Sequence, residues 1–361
     1  MTNYFQRLAP WALVLLVVVF LLLFSSCDDD DNAAPTPELT FTQIGLDNLK
    51  VYELVLFGED SLFAATNDGV YVKRITSSNP FTHVGLKGRN VVDIIVFTPE
   101  HIVATTGNRG ATADSPGIHE TLNGGTSWDK SSFGGDNNDE TAHSLSQHPT
   151  DDRVVYATGN AVVAKSVDYG KNWEAIWGNW GGFASGTSVA EINPFMQTDL
   201  WYGGQGGIEN GYLGYLRNEQ PVKQWGDLVD NPTVAIEVAF TNQGTQNIFV
   251  GFEGALMKTS NNGDDWKQAI DGHVNGLRFF YGIDKSDHNE NHVYAGGWLK
   301  GVDQQSLVLY ISHDSGETWE AKTFEDEQSG GIFTLKVISD GSHDKVFVGL
   351  DSGGVYEIDV R

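Results

Sequence analysis

The sequence predicts an all-β chain folded as a seven-bladed β-propeller, and three observations carry that expectation. An eight-residue pattern, Ser/Thr-x-Asp/Asn-x-Gly-x-x-Trp, occurs four times in the 361 residues. Seven short apolar segments recur at intervals that match it. Glycine supplies 42 residues, with 10 Trp, 12 Tyr and 19 Phe but only 10 Pro and 3 Met. A glycine share well above the usual ~7% beside many aromatics fits short strands joined by tight turns.

Taken in order, residues 11–24 are an unbroken apolar run followed by Ser25, Ser26 and the single cysteine, Cys27. A membrane-spanning helix needs about 20 apolar residues, so this run suits the middle of a signal peptide better. The cysteine after two small residues resembles a bacterial lipobox, although Phe24 stands where an aliphatic residue is commoner. That resemblance implies that residues 1–26 are removed and that Cys27 carries lipid. Asp28, Asp29, Asp30 and Asp31 then repel one another, so 27–38 reads as a solvated tether. An acidic run after such a cysteine resembles the surface-export signal of Bacteroidota lipoproteins. In enteric bacteria an Asp at that place instead resembles an inner-membrane retention signal. The expectation is a lipid-anchored envelope protein, on the outer membrane and facing outward.

Residues 39–361 hold the repeats. The octapeptides are Thr121-Leu-Asn-Gly-Gly-Thr-Ser-Trp128, Ser166-Val-Asp-Tyr-Gly-Lys-Asn-Trp173, Thr259-Ser-Asn-Asn-Gly-Asp-Asp-Trp266 and Ser312-His-Asp-Ser-Gly-Glu-Thr-Trp319. Their glycines, 125, 170, 263 and 316, are 45, 93 and 53 residues apart, the long step being two periods with one copy eroded. A period near 46 matches the ~40–50 residues of a four-stranded propeller blade. The side chains of Asn123, Asp168, Asn261 and Asp314 can accept hydrogen bonds from the backbone just ahead, while Gly125, Gly170, Gly263 and Gly316 supply positive φ. Trp128, Trp173, Trp266 and Trp319 would fold back to fill the gap to a neighbouring sheet.

The seven apolar segments are 62–66, 102–106, 154–158, 200–204, 248–252, 292–296 and 346–350, each expected as a second strand. First-strand candidates precede them, among them 51–57, 91–97 and 234–240, apolar on both sides as strands between blades should be. The seventh unit ends at Arg361 without an outer strand. Residues 41–46 (Phe-Thr-Gln-Ile-Gly-Leu) nearly duplicate 81–86, the outer strand of the first unit. An N-terminal strand completing the last blade would close the ring and remove a free edge.

The octapeptide resembles the Asp-box of the bacterial-neuraminidase-repeat propellers, and the resemblance covers nearly all of 39–361. That family includes sialidases, xyloglucan-cleaving glycosidases, sortilin-type receptors and photosystem II assembly factors. It implies that the boxes are structural, join third to fourth strands, and lie opposite the ligand face. Candidate ligand loops are then 107–117, 134–141, 177–186, 203–212 and 297–306. Trp177, Trp180 and Trp298 on these loops could stack on sugar rings, or pack blade against blade. Asn179, Gln205 and Asn210 could bond hydroxyls, and Arg109, Glu209 and Asp303 are charged candidates. Asp114, Asp139 and Glu140 lie on the same loops, and Glu53 and Asp93 hold equivalent first-strand positions facing the channel. Most glycosidases need one such acid and one base or nucleophile at a set separation, but no single pair stands out from 48 acids.

Several classes are excluded or disfavoured. With 48 Asp+Glu against 22 Lys+Arg, the formal charge is −26, which repels nucleic acid and anionic lipid. It also leaves no counterpart to the basic patch of the photosystem assembly relatives. A true sialidase would carry an arginine triad and an Arg-Ile-Pro motif; Lys73-Arg74-Ile75-Thr76 lacks the proline, and only seven arginines follow the signal. There is no Gly-x-Ser-x-Gly, no His-Glu-x-x-His and no phosphate loop. The run from Asp284 to His292 lacks the glycine of a helix-loop-helix Ca²⁺ site and reads as a solvated turn. The expectation is a monomeric, non-catalytic binding or scaffolding propeller without metal or cofactor, held to the membrane by lipid alone, with glycan as ligand. A glycoside hydrolase using a rim carboxylate pair, and an assembly factor binding an envelope protein, are the alternatives.

Overall fold

The computed structural model describes residues 39–361, except 108–115, 135–139, 183, 207–210, 227, 230–234, 242–245, 275, 325–328 and 342. Of the sequence candidates, Cys27, Arg109, Asp114, Asp139, Glu209 and Asn210 lie outside the described residues. The described chain forms 28 strands and no helix.

Blade 1 contains β2 (Val51–Phe57), β3 (Ser61–Thr66), β4 (Gly69–Arg74) and β5 (Thr82–Gly85), after the N-terminal β1 (Leu39–Gly45). Blade 2 contains β6 (Val91–Val96), β7 (Ile102–Thr106), β8 (Gly117–Thr121) and β9 (Asp129–Ser131). Blade 3 is built from β10 (Ser144–Gln147), β11 (Val155–Thr158), β12 (Val162–Ser166) and β13 (Glu174–Gly178). Blade 4 follows with β14 (Ala184–Ile192), β15 (Asp199–Gly206), β16 (Gly211–Arg217) and β17 (Gln220–Trp225). Blade 5 has β18 (Ala235–Thr241), β19 (Asn247–Phe252), β20 (Ala255–Thr259) and β21 (Lys267–Asp271). Blade 6 has β22 (Arg278–Lys285), β23 (Val293–Leu299), β24 (Leu307–Ser312) and β25 (Glu320–Phe324). Blade 7 has β26 (Ile332–Ser339), β27 (Asp344–Leu350) and β28 (Val355–Val360), with β1 as its outer strand.

The N-terminal strand therefore closes the ring as the sequence predicts. β1 pairs antiparallel with β28 from Leu39↔Val360 to Gly45↔Val355. Leu46 and Leu86 then take the same left-handed turn, at φ +63° and +58°, which is why 41–46 duplicates 81–86. Each first strand contacts that of the next blade, and β26 returns to β2.

Seven apolar clusters fill the seven blade interfaces. One joins Val51, Leu54 and Leu62 of blade 1 to Phe347 and Val355 of blade 7. Another joins Trp201, Leu213 and Tyr215 of blade 4 to Val238, Ile248 and Phe252 of blade 5. Each fully buried side chain of this size contributes about 1.5–3 kcal/mol. Apolar residues on both faces of a strand are thus accounted for, since every blade is sandwiched.

The four octapeptides connect third to fourth strands and share one geometry. In the second copy, Ser166 Oγ donates to Asp168 Oδ1 at 2.8 Å and accepts from Gly170 N at 2.9 Å, while Asn172 N donates to Asp168 Oδ1 at 2.9 Å. The same three bonds recur around Asn123, Asn261 and Asp314. Each turn needs two consecutive left-handed residues, such as Asn262 at φ +55° and Gly263 at +76°. The sequence pattern shows only the second. Trp128, Trp173, Trp266 and Trp319 pack back on the preceding blade: Trp266 lies edge-on to Trp225 at 5.4 Å, and Trp319 to Phe249 at 6.2 Å. Blade 4 replaces the octapeptide by a two-residue turn with Asn218 and Glu219 at φ +48° and +64°, which is the eroded copy.

Candidate functional site

The first strands line an axial cavity of about 400 Å³. Its wall carries five carboxylates from five blades, Glu53, Asp93, Glu191, Glu237 and Asp284, and two lysines, Lys285 from blade 6 and Lys336 from blade 7. Glu53 and Asp93 do face the channel, as their equivalent positions suggest. Asp284 corrects the sequence reading. It lies inside β22, partly buried, and only 286–292 form the turn. The strand runs two residues past its last apolar residue, Ile283, and so includes Asp284.

Two of these acids stitch blades together. Asp93 Oδ2 accepts from Leu145 N of blade 3 at 2.7 Å, and Asp284 Oδ2 accepts from Val337 N of blade 7 at 2.9 Å. Ser144 and Ser146 do the same for Ala190 N and Ile192 N of blade 4, and Thr334 Oγ1 for Leu54 N of blade 1. A first strand has one ladder partner only, so its inner N–H groups need acceptors from the neighbouring blade. Glu191 accepts from Ser146 Oγ at 2.8 Å, and Glu53 takes Thr334 Oγ1 at 3.3 Å and lies 3.5 Å from Lys336 Nζ.

The electrostatics follow from crowding like charges in an enclosed space. Burial pushes Asp93 well up, and the Glu53 charge adds to it. Burial also raises Glu237, reinforced by Glu53 and Glu191, and raises Asp284 against the opposing pull of Lys336. Glu191 is pushed up to about 7, again by burial first, despite its bond from Ser146. Burial opposes the charge of Lys336, but the surrounding carboxylates outweigh it and hold its ammonium form. Protein surrounds Lys336, yet 36% of its side chain remains accessible, so the cavity is wet rather than dry. Among the described residues no group of three His, Cys, Asp or Glu is placed to hold a metal ion.

On the face opposite the octapeptide turns, where first strands begin, lies a contiguous aromatic arc. Tyr52 stacks on Phe333 at 5.9 Å, Phe333 meets Tyr281 edge-on at 5.1 Å, and Trp298 lies 6.1 Å from Phe333 and edge-on to Phe279 at 5.6 Å. Tyr52, Tyr281 and Phe333 come from three consecutive blades, and each is the extra residue of a β-bulge in β2, β22 or β26. A bulge re-aims a side chain without breaking the strand. Sequence reasoning missed these residues, together with Glu191, Glu237 and Lys336. Tyr52 and Phe333 are each the second residue of a first strand, whereas Tyr281 is the fourth residue of β22, so an alignment of strand starts finds two of the three.

The loop candidates are dispersed. Trp298 joins the arc, beside the buried Asp351. Trp177 lies against Tyr202 at 4.5 Å and Tyr212 at 6.0 Å, and Trp180 packs edge-on to Phe133 at 5.0 Å. Both belong to the end of blade 3, with blades 4 and 5 between them and Trp298 on blade 6, so the three tryptophans do not form one platform. Glu140 is 7% exposed under this loop and accepts from Gly181 N. Asp303 and Asn179 are exposed, and Gln205 is the half-buried next-to-last residue of β15.

No protein-family model matches the chain, and no curated protein matches it by sequence. Solved structures share its fold. A GH74 xyloglucanase from Xanthomonas campestris is 14% identical with a TM-score of 0.63, over 88% of this chain and 53% of that one. YCF48, bound to a D1 peptide, is 12% identical with a TM-score of 0.58, over 89% of this chain and 96% of that one. The extracellular domain of a one-component system from B. thetaiotaomicron is 10% identical with a TM-score of 0.58, over 90% and 40%. The chain spans about half the length of the xyloglucanase, and at these identities the likeness is one of fold: a seven-bladed β-propeller.

Proposed function

We propose that this chain is a lipid-anchored envelope protein whose propeller binds a glycan without cleaving it. The observation that carries the reading is the aromatic arc of Tyr52, Phe333, Tyr281 and Trp298 on the face opposite the octapeptide turns. Aromatic faces suit the C–H surfaces of sugar rings, and Tyr and Trp add a polar edge for hydroxyls. The carboxylates beside the arc are taken up by partners: Asp351 accepts from Gly331 N at 2.8 Å, and Glu253 pairs with Lys300 at 3.2 Å. A ligand there would find stacking surfaces rather than a free acid and base. The lipobox-like Cys27 and the Asp28–Asp31 run support the anchor, and the Asp-box resemblance of the turns supports placing the ligand on the opposite face. Affinity electrophoresis of the full chain in polysaccharide-containing gels tests the reading. Retardation that Trp298→Ala abolishes is the expected result; migration unaffected by every polysaccharide would sink it.

A hydrolase is the second reading, favoured by Glu191. A carboxyl held near 7 beside four others has the protonation a general acid needs. The xyloglucanase likeness is compatible with it. Shortened products from any retained polysaccharide would establish it.

A further inference from the structure

We propose that the groove between blades 3 and 4, on the octapeptide face, docks a tryptophan side chain of a partner polypeptide whose neighbouring residues are basic. This goes beyond the glycan reading and does not rest on it. Leu216 pairs with Leu200 as Thr259 pairs with Ile248, so 216–223 is the eroded copy of the octapeptide. Asn218 keeps the Asp/Asn position. Leu216 replaces Ser/Thr, Gln220 replaces Gly, and Lys223 stands where the four intact copies carry Trp. Lys223 does not take over that role. Its Nζ reaches forward to Asp264 Oδ1 of blade 5, at 2.7 Å, instead of back to blade 3.

The intact copies show what the place accepts. Trp319 lies edge-on to Phe249 of the preceding blade at 6.2 Å and shares a cluster with Ala269, the bulged residue of the fourth strand. On blade 3 the same register gives Tyr156 and the bulged Ile176. Both line a cavity of about 210 Å³, walled also by Ile192, Leu200 and Leu216, which the two-residue turn leaves open. Blades 1 and 7 lack the octapeptide too, but there Phe81 packs into the cluster of Phe347, and Leu39 and Phe41 into that of Tyr294. An incoming indole would bury apolar area and meet the Tyr156 ring, as an anchor residue does in its pocket. The surroundings select its neighbours. A second hollow of about 480 Å³ shares Lys165, Ile176 and Glu219 with the first and adds Asp168 and Glu174. Three carboxylates against one ammonium favour basic residues beside the tryptophan.

Fluorescence anisotropy of dye-labelled peptides with the full chain in detergent tests this. The probe is a blocked Lys-Lys-Trp-Lys-Lys peptide, compared with the same peptide carrying Ala for Trp and with one carrying Glu for every Lys. The expected result is saturable binding of the probe, at least tenfold tighter than that of either control. Thr198 is exposed and lines the cavity, so Thr198→Trp should fill it from within and weaken binding at least tenfold. Glu174→Lys, on the exposed rim of the second hollow, should weaken it at least threefold. The urea midpoint confirms that each variant folds. No saturation up to millimolar peptide, equal binding of the Trp and Ala peptides, tighter binding of the Glu-flanked one, or unchanged affinity in either folded variant would overturn the proposal. Trp298→Ala should leave peptide binding unchanged while it abolishes glycan retention, so either result can fail while the other stands.

Discussion

Replacing Glu191 by Gln isolates the cost of charging the channel. Its carboxyl moves from an ordinary value of 4.5 to about 7 on folding, chiefly through burial. Because the folded value is the higher one, Glu191 favours the fold most fully at pH below 4.5. That contribution is withdrawn as the pH rises through 7. Fully ionised, the group costs the folded state about 3 kcal/mol, and at pH 5 it costs under about 1 kcal/mol. Gln has nearly the same shape, still offers an oxygen to Ser146 Oγ, and cannot ionise. Glu191→Gln should therefore stabilise the protein by about 2–3 kcal/mol at pH 8 and by much less at pH 5. Urea unfolding at both pH values, followed by tryptophan fluorescence, measures it. Equal effects of the substitution at the two pH values, or destabilisation at pH 8, would refute the electrostatic account of the channel.

The remaining predictions concern the turns, the ring and the arc. Gly263→Ala should cost at least about 2 kcal/mol, because φ is +76° and a Cβ would meet Trp225 Cζ2 at 2.2 Å; an unchanged urea midpoint would contradict this. Asp168→Ala removes the acceptor for Ser166 Oγ and Asn172 N and should cost about 1–2 kcal/mol, whereas the conservative Asp168→Asn should retain most of the stability. Deleting 39–45 strips β1 from β28 and leaves an open edge, so the truncated chain should self-associate in light scattering while the intact chain stays monomeric. Phe333→Ala removes the residue that Tyr52, Tyr281 and Trp298 all touch, and it should lower glycan retention at least as much as Trp298→Ala.

The ring was legible in the sequence because each blade repeats the same local chemistry. A Ser or Thr two residues before Asp or Asn, with Gly and Trp at fixed offsets, specifies one turn wherever it falls, and the duplication of 81–86 at 41–46 revealed the closing strand. The channel was largely hidden. Its polar residues occur once per strand in runs that are apolar on both sides, and the bulges at Tyr52, Tyr281 and Phe333 shift the register from strand to strand. Glu53 and Asp93 were recognisable because β2 and β6 share the same bulge; Glu237 follows that bulge too in β18 and was overlooked, while Glu191 and Lys336 sit at other offsets. Tryptophan composition could not separate Trp298, which joins the arc, from Trp177, which packs on Tyr202 of blade 4, and Trp180, which packs on Phe133. That distinction depends on contacts between residues far apart in the chain.

On the proposed function, the aromatic arc binds glycan and leaves it intact. Incubating the full chain with a panel of plant, algal and bacterial polysaccharides, and reading retention and product masses from the same samples, tests it most directly. The expected result is at least one retained polysaccharide, unchanged in length, whose retention Trp298→Ala abolishes. Shortened products, or retention that survives loss of the arc, would contradict it.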